Sequence, residues 1–147
     1  MNAPAALAVI TGLVLIATLA GLLWRARSGR VRDAGGARVT AQSLGSDVAF
    51  GATATVLQFS TEYCGPCRIA ERLLNRVVSG RDGVRYVEVD LGQRPHLASE
   101  FGVVQTPTIL LLDAAGGIRS RIGGVPRADE VAARLDELEK ESHVVTG

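Results

Sequence analysis

The pattern of hydrophobic and polar residues changes twice along the chain. Residues 3–24 are almost wholly apolar and hold no charged side chain. Residues 25–46 are rich in arginine and glycine and show little apolar periodicity. Beyond them, short apolar runs alternate with stretches whose apolar residues recur every third or fourth position. The pattern predicts an apolar helix at 3–24, an Arg/Gly-rich linker at 25–46, a folded domain at 47–141 and a tail at 142–147.

Strands and helices alternate within the predicted domain in the order β-α-β-α-β-β-α. The strands are predicted at 54–60, 84–90, 108–112 and 118–122, and the helices at 64–79, at 95–101 and around Val131, Leu135 and Leu138. The first of these helices has a predicted apolar face of Ile69, Leu73, Leu74, Val77 and Val78. A further short edge strand is predicted at 39–44, inside the linker. This order of elements indicates an α/β fold, with a central sheet and helices on both faces.

The apolar segment 3–24 is long enough to cross a lipid bilayer, because its helix would span about 33 Å at ~1.5 Å per residue. None of its faces is polar, which disfavours a buried helix of a soluble core. A secretory signal peptide would need a positively charged start and a small-residue cleavage site. Here only Met1-Asn2 precedes the segment and Trp24-Arg25-Ala26-Arg27 ends it. We therefore predict a transmembrane anchor with Trp24 at the interface.

The charged residues predict which partners the chain can bind and on which side of the membrane its domain lies. The net charge is +1, from 16 basic and 15 acidic residues, so no overall field favours nucleic acid. No Lys or Arg precedes the apolar segment, whereas Arg25, Arg27, Arg30, Arg32 and Arg38 follow it. The positive-inside rule then predicts a cytoplasmic domain in a single-pass protein of the cell membrane. The arginines either bind anionic membrane lipid as well or serve only as the topology signal.

The only two cysteines, Cys64 and Cys67, enclose Gly65-Pro66 at the point where a predicted strand turns into a helix. A C-x-x-C in that context is typical of a redox motif. The first thiol lies at the free amides of the helix N-terminus, where the helix dipole favours a thiolate. The second lies one turn along, close enough to form a disulfide. Such a pair can exchange two electrons with a disulfide of another protein.

A zinc site and a purely structural disulfide are the other interpretations of this cysteine pair. Structural zinc takes four ligands, and only His96 and His143 are available besides the cysteines. Neither histidine has the spacing of a zinc ligand, so no metal is predicted. We expect His96 to face solvent on a short helix.

Three stretches together resemble the thioredoxin family. They are the run Tyr63-Cys64-Gly65-Pro66-Cys67-Arg68 after an apolar strand, the segment 101–108 with Thr106-Pro107, and Gly123-Gly124 before the last helix. The resemblance covers roughly residues 48–138. It implies a thioredoxin fold, in which helices flank a central mixed sheet, here preceded by one transmembrane helix. It also implies a redox-active disulfide between Cys64 and Cys67 and no other cofactor.

The resemblance assigns roles to the residues of the motif. Cys64 would attack a substrate disulfide, and Cys67 would resolve the mixed disulfide. Gly65 would let the backbone of a partner approach. Pro66 would fit the first helical turn, where no N–H is needed. Tyr63 stands where the family commonly has Trp.

Two further positions follow from the resemblance, and two depart from it. Thr106 and Pro107, joined by an expected cis bond, would bind an extended substrate segment. Gln58 stands where the family usually has a buried Asp, and Tyr86 where it commonly has the Lys that pairs with that Asp. The proton of Cys67 would then need another acceptor, such as a water or Glu62. We expect an enzyme that is slower than the family's usual members or has a different redox poise.

The sequence thus predicts a membrane-anchored thiol–disulfide oxidoreductase that reduces protein disulfides in the cytoplasm. Its partners would be those protein substrates, membrane lipid, and a flavin-dependent reductase or dithiol carrier that donates electrons. One alternative places the domain outside the membrane, where it would reduce apocytochrome or envelope-protein thiols. Another is a redox sensor or partner-binding module without catalysis.

Overall fold

Helices and strands alternate along the described residues, 2–45 and 48–146, of the computed structural model. In chain order they are α1 Ala3–Arg27, β1 Arg32–Asp33, α2 Ala41–Leu44, β2 Ala54–Ser60, α3 Gly65–Val78, β3 Val84–Asp90, α4 His96–Glu100, β4 Thr108–Asp113, β5 Ile118–Gly123 and α5 Ala128–Thr146. The predicted order β-α-β-α-β-β-α is confirmed from β2 to α5. The predicted boundary between linker and domain, at residues 46 and 47, lies outside the described residues, as does residue 147 at the end of the predicted tail.

The five described strands form one mixed sheet in the order β1-β5-β4-β2-β3. Strand β3 runs parallel to β2, while β4 is antiparallel to β2 and β5 is antiparallel to β4. All seven residues of the central β2 are buried. A strand buried on both faces needs a cover on each side, and the helices supply it.

Successive side chains of β2 alternate between the two faces of the sheet. On one face Leu57 and Phe59 pack in a core with α2 and α4, and the rings of Phe59 and Phe101 stack 5.4 Å apart. On the other face Ala54 and Val56 pack in a core with α3 and α5. The predicted α/β architecture, with helices on both faces of the sheet, is confirmed.

The buried face of α3 differs from the prediction at Ile69, which is 50% exposed. The fully buried stripe of this helix consists of Cys67, Ala70 and Leu74. Ile69 lies about 100° around the helix from Ala70 and so points away from the sheet. Ile69 therefore belongs to the surface near the cysteine motif, and the predicted apolar face of α3 is wrong at this one position.

The segment predicted as a linker holds two ordered elements. Strand β1 pairs with β5 at the edge of the sheet. Val39 and Leu44 are fully buried in the core on the Leu57 face. The edge strand predicted at 39–44 is wrong, because residues 41–44 form a helix. There the Ser43 N–H donates to the Thr40 hydroxyl, and the Thr40 N–H donates to the Ser43 hydroxyl, which is a capping box.

Helix α1 is 25 residues long and is, by length and composition, the one helix of the described residues that could cross a membrane. None of its described residues is buried against the rest of the chain. A signal sequence near the N-terminus would have the same properties, so the anchor stays a prediction.

Candidate redox site

The two cysteines form a disulfide at the N-terminus of α3, with their Cα atoms 5.2 Å apart. Cys64 is the cap of the helix, and its sulfur accepts a hydrogen bond from the Cys67 N–H at 3.2 Å. Cys67 is 2% exposed, whereas Cys64 is only half-buried. Cys64 is therefore the sulfur that another protein can reach, and the helix N-terminus favours its thiolate form.

The residues around Cys64 leave its approach open. Tyr63 is 93% exposed, and Gly65 and Pro66 are exposed in the first turn of α3. Apart from its chain neighbours and the backbone of its own helix, no atom of the described residues lies within 4 Å of the place where a side chain at Gly65 would begin. Pro66 costs the helix no hydrogen bond at this position.

Gln58 lies beneath the buried cysteine, on the central strand. It is fully buried, and its Nε2 donates a hydrogen bond to the carbonyl oxygen of Cys67 at 3.1 Å. Its Oε1 has no hydrogen-bond partner among the described residues. An amide does not take up a proton near neutral pH, so Gln58 holds the first turn of α3 against the sheet and is not a base.

Tyr86 is the other departure from the family pattern. Burial first, and then the negative charges of Glu88 and Glu71, raise the pKa of its hydroxyl above the usual value. The hydroxyl therefore stays neutral at physiological pH and cannot accept the proton of a thiol. Its oxygen, like Gln58 Oε1, has no hydrogen-bond partner among the described residues.

A polar cleft of about 420 Å³ opens beside Cys67. Its charged lining residues are Glu62, Arg68, Glu88, Asp90 and Arg94. Of these residues, Glu62 was a candidate proton acceptor from the sequence, whereas Glu88 and Asp90 were not predicted to lie here. The register of the sheet sets Glu88 opposite Gln58 on β2, so the alternation of β3 was the signal that places it near the cysteines.

The loop before β4 lies at the same edge of the sheet as the cysteines. Its Thr106–Pro107 peptide bond is cis, as expected. Thr108, the first residue of β4, lies opposite Phe59, near the end of the strand that leads to Cys64. Pro107 is buried, whereas Val104 in the same loop is 95% exposed.

Among the described residues, 2–45 and 48–146, no group of three or more His, Cys, Asp and Glu side chains could hold a metal ion. His96 is exposed on α4, as predicted.

Residues 37–137 match the sequence model of the thioredoxin family. The chain is 34% identical to Thioredoxin H2 of Arabidopsis thaliana over 85 residues, which are 58% of this chain and 57% of that protein. It is 24% identical to Thioredoxin 1 of a Nostoc species over 92 residues, which are 62% of this chain and 86% of that protein.

The structure is also similar to solved thioredoxins. It matches thioredoxin NaTrxh of Nicotiana alata with a TM-score of 0.51 and 29% identity over 58% of this chain and 73% of that one. A mutant thioredoxin of Halobacterium salinarum matches with a TM-score of 0.53 and 20% identity over 59% and 75%. The predicted thioredoxin fold is confirmed, and the region matched by the sequence model includes both cysteines and the cis-proline.

Proposed function

The chain belongs to the thioredoxin family, and from that premise we propose that it is a membrane-anchored thiol–disulfide oxidoreductase that reduces disulfides of other proteins. The observation that carries the proposal is the difference between the two cysteines. Cys64 is accessible at a helix N-terminus, and Cys67, bonded to it, is buried one turn along. The Cys64 sulfur can contact a substrate disulfide, and the Cys67 sulfur can then resolve the mixed disulfide that forms.

In the proposed reaction, the Cys64 thiolate attacks one sulfur of a substrate disulfide. The S–S bond of the substrate breaks, its other sulfur leaves as a thiolate, and that thiolate takes up a proton from solvent. Cys67 then loses its proton and attacks Cys64, which releases the second substrate thiol. Two electrons have passed to the substrate, and the Cys64–Cys67 disulfide remains. A dithiol carrier or a flavin-dependent reductase returns two electrons for the next cycle.

The surface around Cys64 suits an extended segment with apolar side chains. Tyr63, Ile69 and Val104 are 93%, 50% and 95% exposed. Ile69 follows Pro66 by three residues, so both lie on one face of α3. In this proposal the backbone of Thr106 pairs with the substrate segment as an added strand would.

Glu88 is our candidate for the group that accepts the proton of Cys67. Gln58 and Tyr86 cannot accept it, whereas Glu88 lies opposite Gln58 and lines the cleft that reaches Cys67. A carboxylate in this place acts as a general base at the resolving step.

The variant Glu88→Gln is expected to slow resolution of the mixed disulfide by roughly 10²-fold at neutral pH, the lower end of what acid–base catalysis contributes. The fold should be unchanged, because the side chain is exposed. Stopped-flow kinetics at neutral pH would measure the rate of this step in the native chain and in the variant. Glu62→Gln is the matched control. A slow step in the control, with normal kinetics in Glu88→Gln, would contradict the assignment.

The proposed topology places the domain in the cytoplasm, because five arginines at 25–38 flank the C-terminal end of the apolar segment 3–24. We expect alkaline phosphatase fused after residue 147 to be inactive, since that enzyme needs the disulfides of an oxidising compartment. A green fluorescent protein at the same place should fluoresce. An active phosphatase fusion would contradict the cytoplasmic assignment and favour a domain outside the membrane.

A further inference from the structure

The chain passes from α1 into the sheet without a free spacer. The Ser28 N–H donates to the Trp24 carbonyl at 3.0 Å and closes the last turn of α1. The next residue, Gly29, is buried, and its N–H donates to the carbonyl of Gly123 at 2.7 Å. A side chain at Gly29 would collide with the backbone of Val125, and its φ of +77° also favours glycine. The base of α1 is therefore attached to the end of β5.

Two more contacts hold the segment that follows. The Val31 N–H donates to the carboxylate of Glu130 on α5 at 3.0 Å. Residues Arg32–Asp33 then pair with β5 as β1. Backbone contacts thus fix the path of the chain from Ser28 onwards, and the direction in which α1 leaves the domain follows from them.

The attachment point lies at the edge of the sheet that carries the cysteines and the Thr106–Pro107 loop, which we call the catalytic edge. Gly123 stands opposite Thr108 in the sheet. The Gly124 N–H donates to the carbonyl of Pro107 at 2.8 Å. A continuous set of backbone contacts therefore joins Gly29, Gly123, Gly124 and Pro107, from the base of α1 to the loop beside the disulfide.

A cavity of about 590 Å³ lies between the base of α1 and this edge. Its lining includes Trp24, Val104 and the arginines Arg27, Arg30, Arg32 and Arg121. A tryptophan at the end of an apolar helix marks the membrane–water interface, and arginines just beyond it lie at the level of the lipid headgroups. Val104, on the cis-proline loop, lines the same cavity and therefore lies at the same level.

We propose that the catalytic edge of this domain faces the bilayer, and that the substrate is a disulfide in the juxtamembrane part of a membrane protein. The inference rests on the proposed membrane anchor and adds the direction in which the active site points. A domain on a long linker would sample all orientations. Here the anchor ends beside Pro107, so a disulfide at the membrane surface meets Cys64 and a disulfide deep in the aqueous phase does not.

The test is fluorescence quenching of the full chain in vesicles of phosphatidylcholine and phosphatidylglycerol that contain a lipid with a nitroxide on its headgroup. In a background without the native cysteines, Cys64→Ser with Cys67→Ser, a bimane label is placed through Val104→Cys or through Ala114→Cys. Both positions are exposed and lie beyond opposite ends of β4, whose six residues span about 20 Å. We expect about threefold stronger quenching at 104 than at 114, because quenching falls steeply over that distance. Equal quenching, or stronger quenching at 114, would overturn the inference.

A spacer gives the second measurement. A Gly-Ser segment inserted between Arg27 and Ser28 frees α1 from the catalytic edge, so quenching at 104 should fall to the level at 114. The same spacer between Gly35 and Gly36 is the control and should change nothing, because both residues are exposed and a side chain added at either would meet no atom beyond its chain neighbours. Unchanged quenching with the first spacer would contradict the fixed orientation.

Flotation with the vesicles separates the two proposals. A chain that does not float contradicts the anchor and, with it, the orientation. A chain that floats but shows equal quenching at both labels contradicts the orientation alone and leaves the proposed anchored oxidoreductase in place.

Discussion

Replacing Cys64 by serine is expected to reduce disulfide reduction by the full chain to the background rate of dithiothreitol, a loss of more than roughly 10³-fold, as for removal of an enzymatic nucleophile. The reason is that Cys64 is the accessible sulfur at the helix N-terminus, while Cys67 is 2% exposed and cannot meet a protein disulfide. A hydroxyl at position 64 is not ionised near neutral pH and cannot take the place of the thiolate. Insulin reduction in detergent, with dithiothreitol as the electron source, measures the rate.

Cys67→Ser is the matched control, because it makes the same replacement of sulfur by oxygen at the other cysteine of the motif. It should retain the first attack and accumulate a mixed disulfide, so that turnover stops after one step. If Cys64→Ser keeps a tenth of the native rate, Cys64 is not the nucleophile. If neither variant differs from the native chain, and the native chain is no faster than dithiothreitol alone, a sensor or binding module without catalysis is favoured.

Leu74→Ala is expected to lower the free energy of unfolding by about 2–5 kcal/mol, the range for a large side chain removed from a packed core. Leu74 is fully buried between α3 and the sheet, in one core with Val56 and Leu135. Its loss would leave a cavity that these neighbours fill only in part. Urea unfolding of the full chain in detergent, followed by far-ultraviolet circular dichroism, measures the change.

Ile69→Ala is the control for this prediction, on the same helix. Its side chain is 50% exposed, so the free energy of unfolding should change by no more than about 0.5 kcal/mol. The same substitution should weaken substrate binding if Ile69 belongs to the surface that contacts the substrate. Equal destabilisation by the two variants would mean that α3 is rotated about its axis relative to the structure described above.

Local pattern predicted the strands of the domain well. Strands β2 and β3 begin and end at the predicted residues, because their apolar runs are bounded by turn residues on both sides. The helix after the cysteines was placed correctly as an element. Its apolar face was predicted correctly except at Ile69, which is apolar and yet lies off the stripe through Ala70 and Leu74. A hydrophobic residue at a surface that binds other proteins cannot be told from a core residue by type alone.

What the sequence did not reveal depends on contacts between distant segments. Strand β1 is two residues long, and β5, its partner, lies far along the chain. Val39 and Leu44 are single buried residues in a glycine-rich stretch and produce no periodicity. The attachment of Gly29 to Gly123 is a backbone contact, for which side-chain pattern carries no signal. The division of the chain into anchor, linker, domain and tail stays a prediction.

Gln58 shows both what the sequence could reveal and where it fell short. The sequence has Gln58 where the thioredoxin family usually has a buried Asp. From the resemblance we inferred that the proton of Cys67 needs another acceptor. The structure adds that the amide donates to the carbonyl of Cys67, so the residue positions the helix turn that carries this cysteine. It also brings Glu88 to the cleft beside Cys67, where a carboxylate is available from another strand.

The most direct test of the central claim is capture of the mixed disulfide by Cys67→Ser in native membranes, followed by mass spectrometry of the linked peptides. We expect covalent adducts with other proteins through the Cys64 sulfur, released by dithiothreitol. They should be absent when Cys64→Ser is combined with Cys67→Ser. Failure to form adducts, or adducts that persist in the double variant, would contradict the assignment of Cys64 as the attacking thiol of a disulfide reductase.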